Sequence, residues 1–319
     1  MNHINDQVEF SVIICCYFEE KSIDEFYGSL SETLNSLGRT YEIVFVNDGS
    51  TDKTFEKLQA IYDSDENVGA LVDLFRNSGQ LAAMTAGIAH ARGEHIIFMD
   101  SDLQLVPQEI PLLLEEFDKG YDIVSGCRAN RQDSFARKFP SWFANRIMRK
   151  VAGHNVTDFG CTFKIYNGKL IRAFEFGPLK KFQTAYVYSK AQKTVEVPIT
   201  HKARKHGKSG WTFKKLTSFL MDNFVGISQR PFQYLSMICL LGAAIFTFRI
   251  ITAWIIPFSI LREVTLGLIL NLILVQLLLT MGVLSAIGEY VFRNFTSLQK
   301  YPIYIVRTLL RKSSISQKE

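Results

Sequence analysis

The first 200 residues alternate between short apolar runs and segments in which apolar positions recur at helical spacing. Five of the runs are rich in β-branched residues and end in polar ones, which predicts strands over residues 10–17, 41–48, 68–75, 95–102 and 121–128. Continuously apolar strands that alternate with helices are typical of a mostly parallel sheet with helices on both faces. We therefore predict an α/β domain over residues 1–210.

The pattern changes beyond this domain. Two long apolar stretches lie within residues 231–292, at about 232–256 and 264–290, and each exceeds the roughly 20 helical residues that cross a hydrocarbon layer. We predict a two-helix transmembrane hairpin, followed by a basic tail over residues 293–319. Residues 211–230 carry apolar side chains at spacings of three and four, which predicts an amphipathic helix in the headgroup plane. A core helix of the α/β domain is the alternative for that segment.

The net charge of +5 hides a split along the chain. Residues 1–200 hold 21 basic and 27 acidic side chains, whereas residues 201–319 hold 15 basic and 4 acidic ones. Because basic residues flank the predicted spans, the positive-inside rule predicts a cytoplasmic α/β domain and two cytoplasmic termini on a plasma (cell inner) membrane. Basic segments beside spans favour the lipid bilayer over nucleic acid as a partner. Polar Asn271 and Gln276 in the second span would allow a homo-oligomer through the membrane helices.

Candidate chemistry lies where the predicted strands end, since parallel α/β sheets bind ligands there. The first strand is followed neither by the G-x-G-x-x-G of dinucleotide enzymes nor by a P-loop. The fourth ends in a carboxylate pair, Asp100 and Asp102, followed by Gln104. Such oxygen ligands suit a hard divalent cation that keeps other positions for phosphate oxygens. Turns and helix caps use the same residue types, so the pair alone leaves a structural role open.

The strand-end motifs together resemble those of the family-2 glycosyltransferases. Within that family they look like the polyprenyl-phosphate enzymes related to bactoprenol glucosyltransferases and dolichol-phosphate mannose synthase. The resemblance rests on CCYFEE at 15–20, VNDGSTDKT at 46–54, FRNSGQLAAMTAGIAHARG at 75–93 and MDSDLQLVPQEI at 99–110. Acceptor-side motifs of the membrane-bound members resemble GCR at 126–128, DFGCTFKIY at 158–166 and KARKHGKSGW at 202–211. The resemblance covers nearly the whole chain and implies a GT-A-type, Rossmann-like fold.

The resemblance also implies roles for individual residues. The residues that bind the nucleotide sugar would be Tyr17, Glu19, Asp48, Asp73, Arg76 and Asp100. A Mg²⁺ or Mn²⁺ ion would be held by Asp100, Asp102 and Gln104. The catalytic residues would be Asp102 and Asp158. The phosphate of the lipid acceptor would be bound by Arg128, Arg137, Ser141, Arg204, Lys208 and Ser209.

The implied reaction is an inverting transfer of a hexose from a nucleotide sugar to undecaprenyl or another polyprenyl phosphate. UDP-glucose is the expected donor, and a GDP-mannose-dependent enzyme is the alternative. A catalytically inactive membrane scaffold is the alternative from a different class. A processive polysaccharide synthase is disfavoured, because the chain lacks the Q-x-x-R-W segment of that class. Whether Asp158 takes a proton or only orients a substrate stays open at this point.

Overall fold

The computed structural model describes residues 8–128, 156–174, 182, 184–202 and 302–312, together with scattered helical positions between 241 and 295. The chain forms two compact units. The first combines Met1–Leu216 with Tyr301–Glu319, and the second is Thr217–Lys300. The first unit is therefore built from two segments that are far apart in the sequence.

An eight-stranded sheet forms the centre of the first unit. Its strands are β1 (Phe10–Cys16), β2 (Tyr41–Asn47), β3 (Val68–Leu74), β4 (His95–Asp100), β5 (Ile123–Arg128), β6 (Lys164–Tyr166), β7 (Thr194–Ile199) and β8 (Val306–Arg311). They lie in the order β7-β5-β6-β4-β1-β2-β3-β8. The neighbours β4, β1, β2 and β3 are parallel, as are β5 and β7. Strand β6 is antiparallel to β4 and β5, and β8 is antiparallel to β3.

The predicted mostly parallel α/β sheet is confirmed, and all five predicted strands are present within two residues of their expected bounds. The sequence pattern did not indicate β6, β7 or β8. Strand β6 has only three residues and begins with Lys164, and β7 contains Pro198, so neither forms a continuous apolar run. Strand β8 lies in the segment expected to be only a basic tail, and alternate residues along it are exposed. It is an edge strand, for which alternation with charged residues is typical.

Helices cover both faces of the sheet. They are α1 (Ile23–Ser36), α2 (Thr54–Ser64), α3 (Gln80–His90), α4 (Ile110–Phe117), α5 (Gly168–Arg172) and α6 (Thr184–Tyr188), with a 3₁₀ turn at Pro107–Glu109. Val12 and Ile14 of β1 belong to one core cluster with apolar side chains of α1, α2 and α4. Ile13 lies on the opposite face, where Gly87 of α3 approaches so closely that a Cβ would collide with it. Strand β1 is thus buried on both sides, as its unbroken apolar run predicts.

A buried carboxylate ties the chain together near the amino ends of the parallel strands. Glu42 of β2 is fully buried and accepts a hydrogen bond from the Ser11 hydroxyl at 2.5 Å. It also accepts from the backbone N–H groups of Arg92 and Gly93, and from Arg92 Nε at 3.0 Å. Because a buried carboxylate is costly unless it is paired, these donors offset the desolvation of Glu42.

The described positions of the second unit between 269 and 295 are helical, and apolar side chains such as Ile273 and Leu284 are exposed. Within the part of the chain that is described, no helix combines the length and the apolar character that a membrane crossing requires. The predicted amphipathic helix at 211–230 lies outside the described residues, as does almost all of the predicted span at 232–256. The hairpin therefore stays a prediction.

Replacing Glu42 should destabilise the α/β unit. In Glu42→Gln the side-chain amide brings N–H donors toward a shell of donors, and Arg92 loses its carboxylate. We expect a loss of about 2 kcal/mol in unfolding free energy, seen as a lower thermal unfolding temperature of the purified chain. Glu32→Gln, at an exposed position of α1, is the matched control. Equal unfolding temperatures of the two variants would contradict a structural role for the buried carboxylate.

Candidate active site

The carboxyl ends of β4, β1, β2 and β3 meet at one edge of the sheet, and predicted site residues lie along that edge. The register pairs Cys15 with Asp100, Cys16 with Asn47, and Asn47 with Asp73. Strand β5 is parallel to β4 because β6 is antiparallel to both, so Arg128 at its end faces the same edge. One edge thus collects residues from five stretches of sequence.

The turn after β1 presents two aromatic rings. Tyr17 and Phe18 are 44% and 49% exposed, and their ring centroids lie 4.4 Å apart. Phe18 has a φ of 59°, a left-handed conformation that costs free energy in a residue with a side chain. Two hydrogen bonds hold it: Phe18 N–H donates to Ser50 Oγ at 3.1 Å, and Glu19 N–H donates to Thr54 Oγ1 at 2.9 Å. The turn after β1 is therefore fixed to the turn after β2 with both rings outward.

Asp48, which follows β2, anchors the loop after β3. The side chain is buried, and its two oxygens accept from Ser78 N–H at 2.7 Å and Gly79 N–H at 2.9 Å. Burial raises the pKa of Asp48 to about 6, although both amide hydrogen bonds act in the opposite direction. Gly49 has a φ of 66°, and a Cβ there would lie 2.3 Å from the Arg76 carbonyl carbon. The absence of a side chain at Gly49 lets the two turns pack backbone against backbone.

Asp73 is buried within β3, while Arg76 is exposed in the loop that follows. Asp73 Oδ1 accepts from Asn47 Nδ2 at 2.7 Å. Its other oxygen lies 3.6 Å from Nη1 of Arg307, a β8 residue that sequence reasoning missed. In the sequence, Arg307 is one of several basic residues of the predicted tail, and nothing distinguishes it as a partner of Asp73.

The predicted metal pair lies where β4 ends. Burial, and after it the negative charge of Asp102, raise the pKa of Asp100 to about 6. Asp100 accepts a hydrogen bond from Gln80 Nε2 at 2.8 Å, and Leu103 beside the pair has a left-handed φ of 61°. Two carboxylates that repel one another at a strained turn are the donor chemistry that fits a hard divalent cation.

The described residues include no cluster of three or more His, Cys, Asp or Glu side chains that would hold a metal ion alone. In proteins Mg²⁺ commonly binds one or two carboxylates and completes its shell with water and substrate phosphates. Gln104, the third predicted ligand, donates its backbone N–H to Asp102 Oδ1 at 3.1 Å. Its side-chain amide donates to the Lys202 carbonyl at 3.3 Å, so it links the carboxylate turn to the chain after β7.

Arg128 and Asp158, predicted for two different roles, form one ion pair. Arg128 Nε and Nη2 donate to the two oxygens of Asp158 at 2.6 and 2.7 Å, a bidentate arrangement that orients the guanidinium plane. Asp158 is buried, and its own backbone N–H donates to Glu196 at 2.9 Å. The Arg128 guanidinium is thus held in a defined orientation at the same edge of the sheet as the carboxylate pair.

Lys164 supports this region from beneath, and the predicted site set did not include it. The side chain is buried, burial lowers the pKa of its amine, and Nζ donates to the carbonyls of Phe159 and Cys161. Thr162, in the same turn, lies 3.4 Å from Gln80 Nε2, the amide that also contacts Asp100. The turn at 158–162 is therefore held by a buried amine, and it contacts Gln80 beside Asp100. No clear sequence signal indicated this role, because Lys164 begins a three-residue strand that the apolar pattern did not indicate.

Five of the predicted lipid-phosphate residues lie outside the described residues: Arg137, Ser141, Arg204, Lys208 and Ser209. Their roles stay predictions. Of that group, the structure describes only Arg128.

Comparison with known proteins gives a consistent family. The model of "Glycosyl transferase family 2" matches residues 11–174. An undecaprenyl-phosphate 4-deoxy-4-formamido-L-arabinose transferase of Edwardsiella ictaluri (strain 93-146) is 31% identical over 316 residues, which cover 97% of this chain and 96% of the relative. The protein of the same name from Klebsiella pneumoniae (strain 342) has the same identity and coverage.

Among solved structures, the fold is similar to that of glucosyl-3-phosphoglycerate synthase from Mycobacterium tuberculosis in complex with Mg²⁺ and uridine diphosphate. The TM-score is 0.50 at 15% sequence identity, over 68% of this chain and 77% of the other. At this identity the likeness concerns the fold alone.

The raised pKa of Asp48 predicts a pH dependence of stability. A carboxyl whose pKa is raised on folding stabilises the fold below its unfolded pKa near 4, and that contribution is lost as the pH rises through 6. Asp48→Asn cannot titrate. The stability of the wild type relative to this variant should therefore fall by about 2 kcal/mol between pH 4 and 7. Unfolding measured across that range checks this, and a difference that does not change with pH would refute it.

Proposed function

The chain belongs to glycosyl transferase family 2, and on that premise we propose that it transfers a sugar from a nucleotide sugar to undecaprenyl phosphate at the cytoplasmic face of a membrane. The observation that carries the proposal is the extent of the match to the two transferases, which continues along 97% of the chain. It therefore includes the basic and apolar segments beyond the family model, and those segments are what a lipid acceptor requires.

The donor would lie along the carboxyl ends of β1 to β4. The exposed rings of Tyr17 and Phe18 suit the nucleoside, since aromatic faces stack on bases. Asp48, Asp73 and Arg76 border the same region. Asp100 and Asp102, with Gln104 beside them, would hold Mg²⁺ or Mn²⁺, which supplies positive charge to the diphosphate. Burial, and after it the charge of Asp102, raise the pKa of Asp100, and a bound cation would offset both effects.

The acceptor would approach from the side of Arg128. Asp158 accepts from Nε and Nη2 of Arg128 through two short hydrogen bonds, which fixes the guanidinium plane. The guanidinium N–H groups that do not face Asp158 would donate to the phosphate oxygens. A phosphate monoester has a second pKa of about 6, so it is already largely ionised near neutrality. No strong base is required, and the role of Asp158 is to orient Arg128.

In the reaction, an oxygen of the acceptor phosphate attacks the anomeric carbon and forms the new C–O bond. The C–O bond to the nucleoside diphosphate breaks, and the leaving group departs with the electron pair, which inverts the configuration. The turn that carries Asp158 lies against Asp100 through Thr162 and Gln80, so acceptor and donor groups share one edge.

Membrane attachment belongs to the same proposal. The predicted hairpin at 232–256 and 264–290, with basic flanks, would keep the α/β unit at the cytoplasmic surface where the lipid phosphate lies.

The identity of the donor sugar is a separate part of the proposal. UDP-glucose is the donor expected from the sequence, GDP-mannose is the alternative, and the names of the two relatives add 4-deoxy-4-formamido-L-arabinose.

Asp102→Asn should lower sugar transfer by about 100-fold, because it removes one charge of the pair that would hold the metal ion. The assay uses purified full-length protein, undecaprenyl phosphate, Mg²⁺ or Mn²⁺, and nucleotide sugars that carry each candidate sugar. Asp63→Asn, at an exposed position of α2, is the matched control and should retain activity. Absence of transfer from every donor, together with absence of metal-dependent nucleotide binding, would favour the inactive scaffold.

Arg128→Lys should raise the KM for the lipid acceptor about tenfold and leave the KM for the donor unchanged, because an ammonium cannot be held in a fixed plane by Asp158 while it donates to the phosphate. Initial rates at varied acceptor and varied donor separate the two constants. If the donor KM rises and the acceptor KM does not, Arg128 does not bind the lipid phosphate.

A further inference from the structure

Strand β8 is the last strand of the sheet on the side of β3, next to the proposed donor site, although it is far from the donor-site residues in the sequence. It pairs antiparallel with β3, with Val306 opposite Leu74 and Thr308 opposite Asp73. Because β3 ends at the site edge, an antiparallel partner must begin there. The first residues of β8 are therefore delivered to the nucleotide end of the site, and its last residue, Arg311, lies opposite Ala70 at the far end.

Arg307 makes three contacts with the end of β3. Its Nη2 donates to the Phe75 carbonyl at 2.6 Å, across a separation of 232 residues. Its Nη1 lies 3.6 Å from Asp73 Oδ2, and its guanidinium carbon lies 5.4 Å from the centroid of the exposed Phe75 ring. The backbone adds a fourth tie, since Phe75 N–H donates to the Ile305 carbonyl at 3.0 Å. The exit of β3 is thus held by the beginning of β8.

This exit leads directly into the loop that Asp48 holds. Ser78 and Gly79, whose amides donate to Asp48, follow Phe75 by three and four residues. Asp73 is itself linked to the turn after β2 through Asn47, whose Oδ1 accepts from Ser50 N–H at 3.3 Å. A change at Arg307 would therefore act on the turn after β2 through Asp73, and on the loop after β3 through Phe75.

We infer that β8 forms part of the donor site, and that Arg307 is a positioning residue that fixes Asp73 and the loop at 75–79 for nucleotide binding. The inference deepens the proposed function and rests on it for the identity of the ligand. The catalytic domain is then residues 1–210 together with 302–312, so the chain that follows the predicted membrane hairpin returns to build the nucleotide site.

The test compares Arg307→Ala with Arg311→Ala in the full-length protein. Both arginines lie on β8 at exposed positions, but only Arg307 lies at the site edge. Arg307→Ala should raise the KM for the nucleotide sugar about fivefold with kcat within twofold, the size expected for a half-exposed ion pair with hydrogen bonds. Arg307→Lys, which keeps the charge but not the fork, should lie between the wild type and Arg307→Ala.

A second readout does not depend on turnover. Hydrogen–deuterium exchange of peptides that cover residues 75–79 should be faster in Arg307→Ala than in the wild type and unchanged in Arg311→Ala. If Arg307→Ala matches Arg311→Ala in exchange, the inference is overturned, whatever the activity. If the wild type transfers no sugar while exchange at 75–79 responds to Arg307 alone, the proposed function fails and the positioning role stands.

Discussion

The parallel register of β4, β1, β2 and β3 is the constraint on which the site depends. It aligns Asp100, Cys15, Cys16, Asn47 and Asp73 across neighbouring strands. Because side chains alternate between faces, a slip of one residue would turn each of these groups to the other side of the sheet. Close packing opposes such a slip, because Ile13 of β1 lies so near Gly87 of α3 that no room remains for another side chain. The core therefore sets the position of the polar edge.

The two ends of the sheet treat buried carboxylates differently. Glu42, near the amino ends, is surrounded by a hydroxyl, two backbone amides and the charged Arg92. At the carboxyl ends, Asp48 accepts from two neutral backbone amides, and Asp100 interacts with Thr162, Gln80 and the charge of Arg128. Burial nevertheless raises the pKa of each carboxyl to about 6. Complete pairing inside the protein is what a structural carboxylate requires. In the proposed function, the negative potential that remains at the carboxyl ends would attract a divalent cation, which in turn would bind the diphosphate.

Much of the fold followed from periodicity alone, because long apolar strands carry their own burial signal. The five predicted strands and the polar residues at their ends are of this kind. Strands β6, β7 and β8 are short, interrupted by Lys164 or Pro198, or at an edge, so their identity depends on partners that the sequence does not reveal. The same holds for the site. Position in a motif indicated Asp158 and Arg128 separately, but their pairing across 30 residues needs the fold.

Lys164 links the residues proposed to bind the donor with those proposed to bind the acceptor. A buried amine whose pKa is lowered by burial is costly, yet its two carbonyl partners both belong to the turn between Asp158 and Thr162. One end of this turn orients Arg128, and the other end contacts Gln80 beside Asp100. Lys164 therefore restrains both ends of the turn, because it holds the turn at its centre. In the proposed reaction the acceptor phosphate and the anomeric carbon must meet at near contact distance, and a turn held at its centre would keep the groups on both sides in place for an in-line displacement.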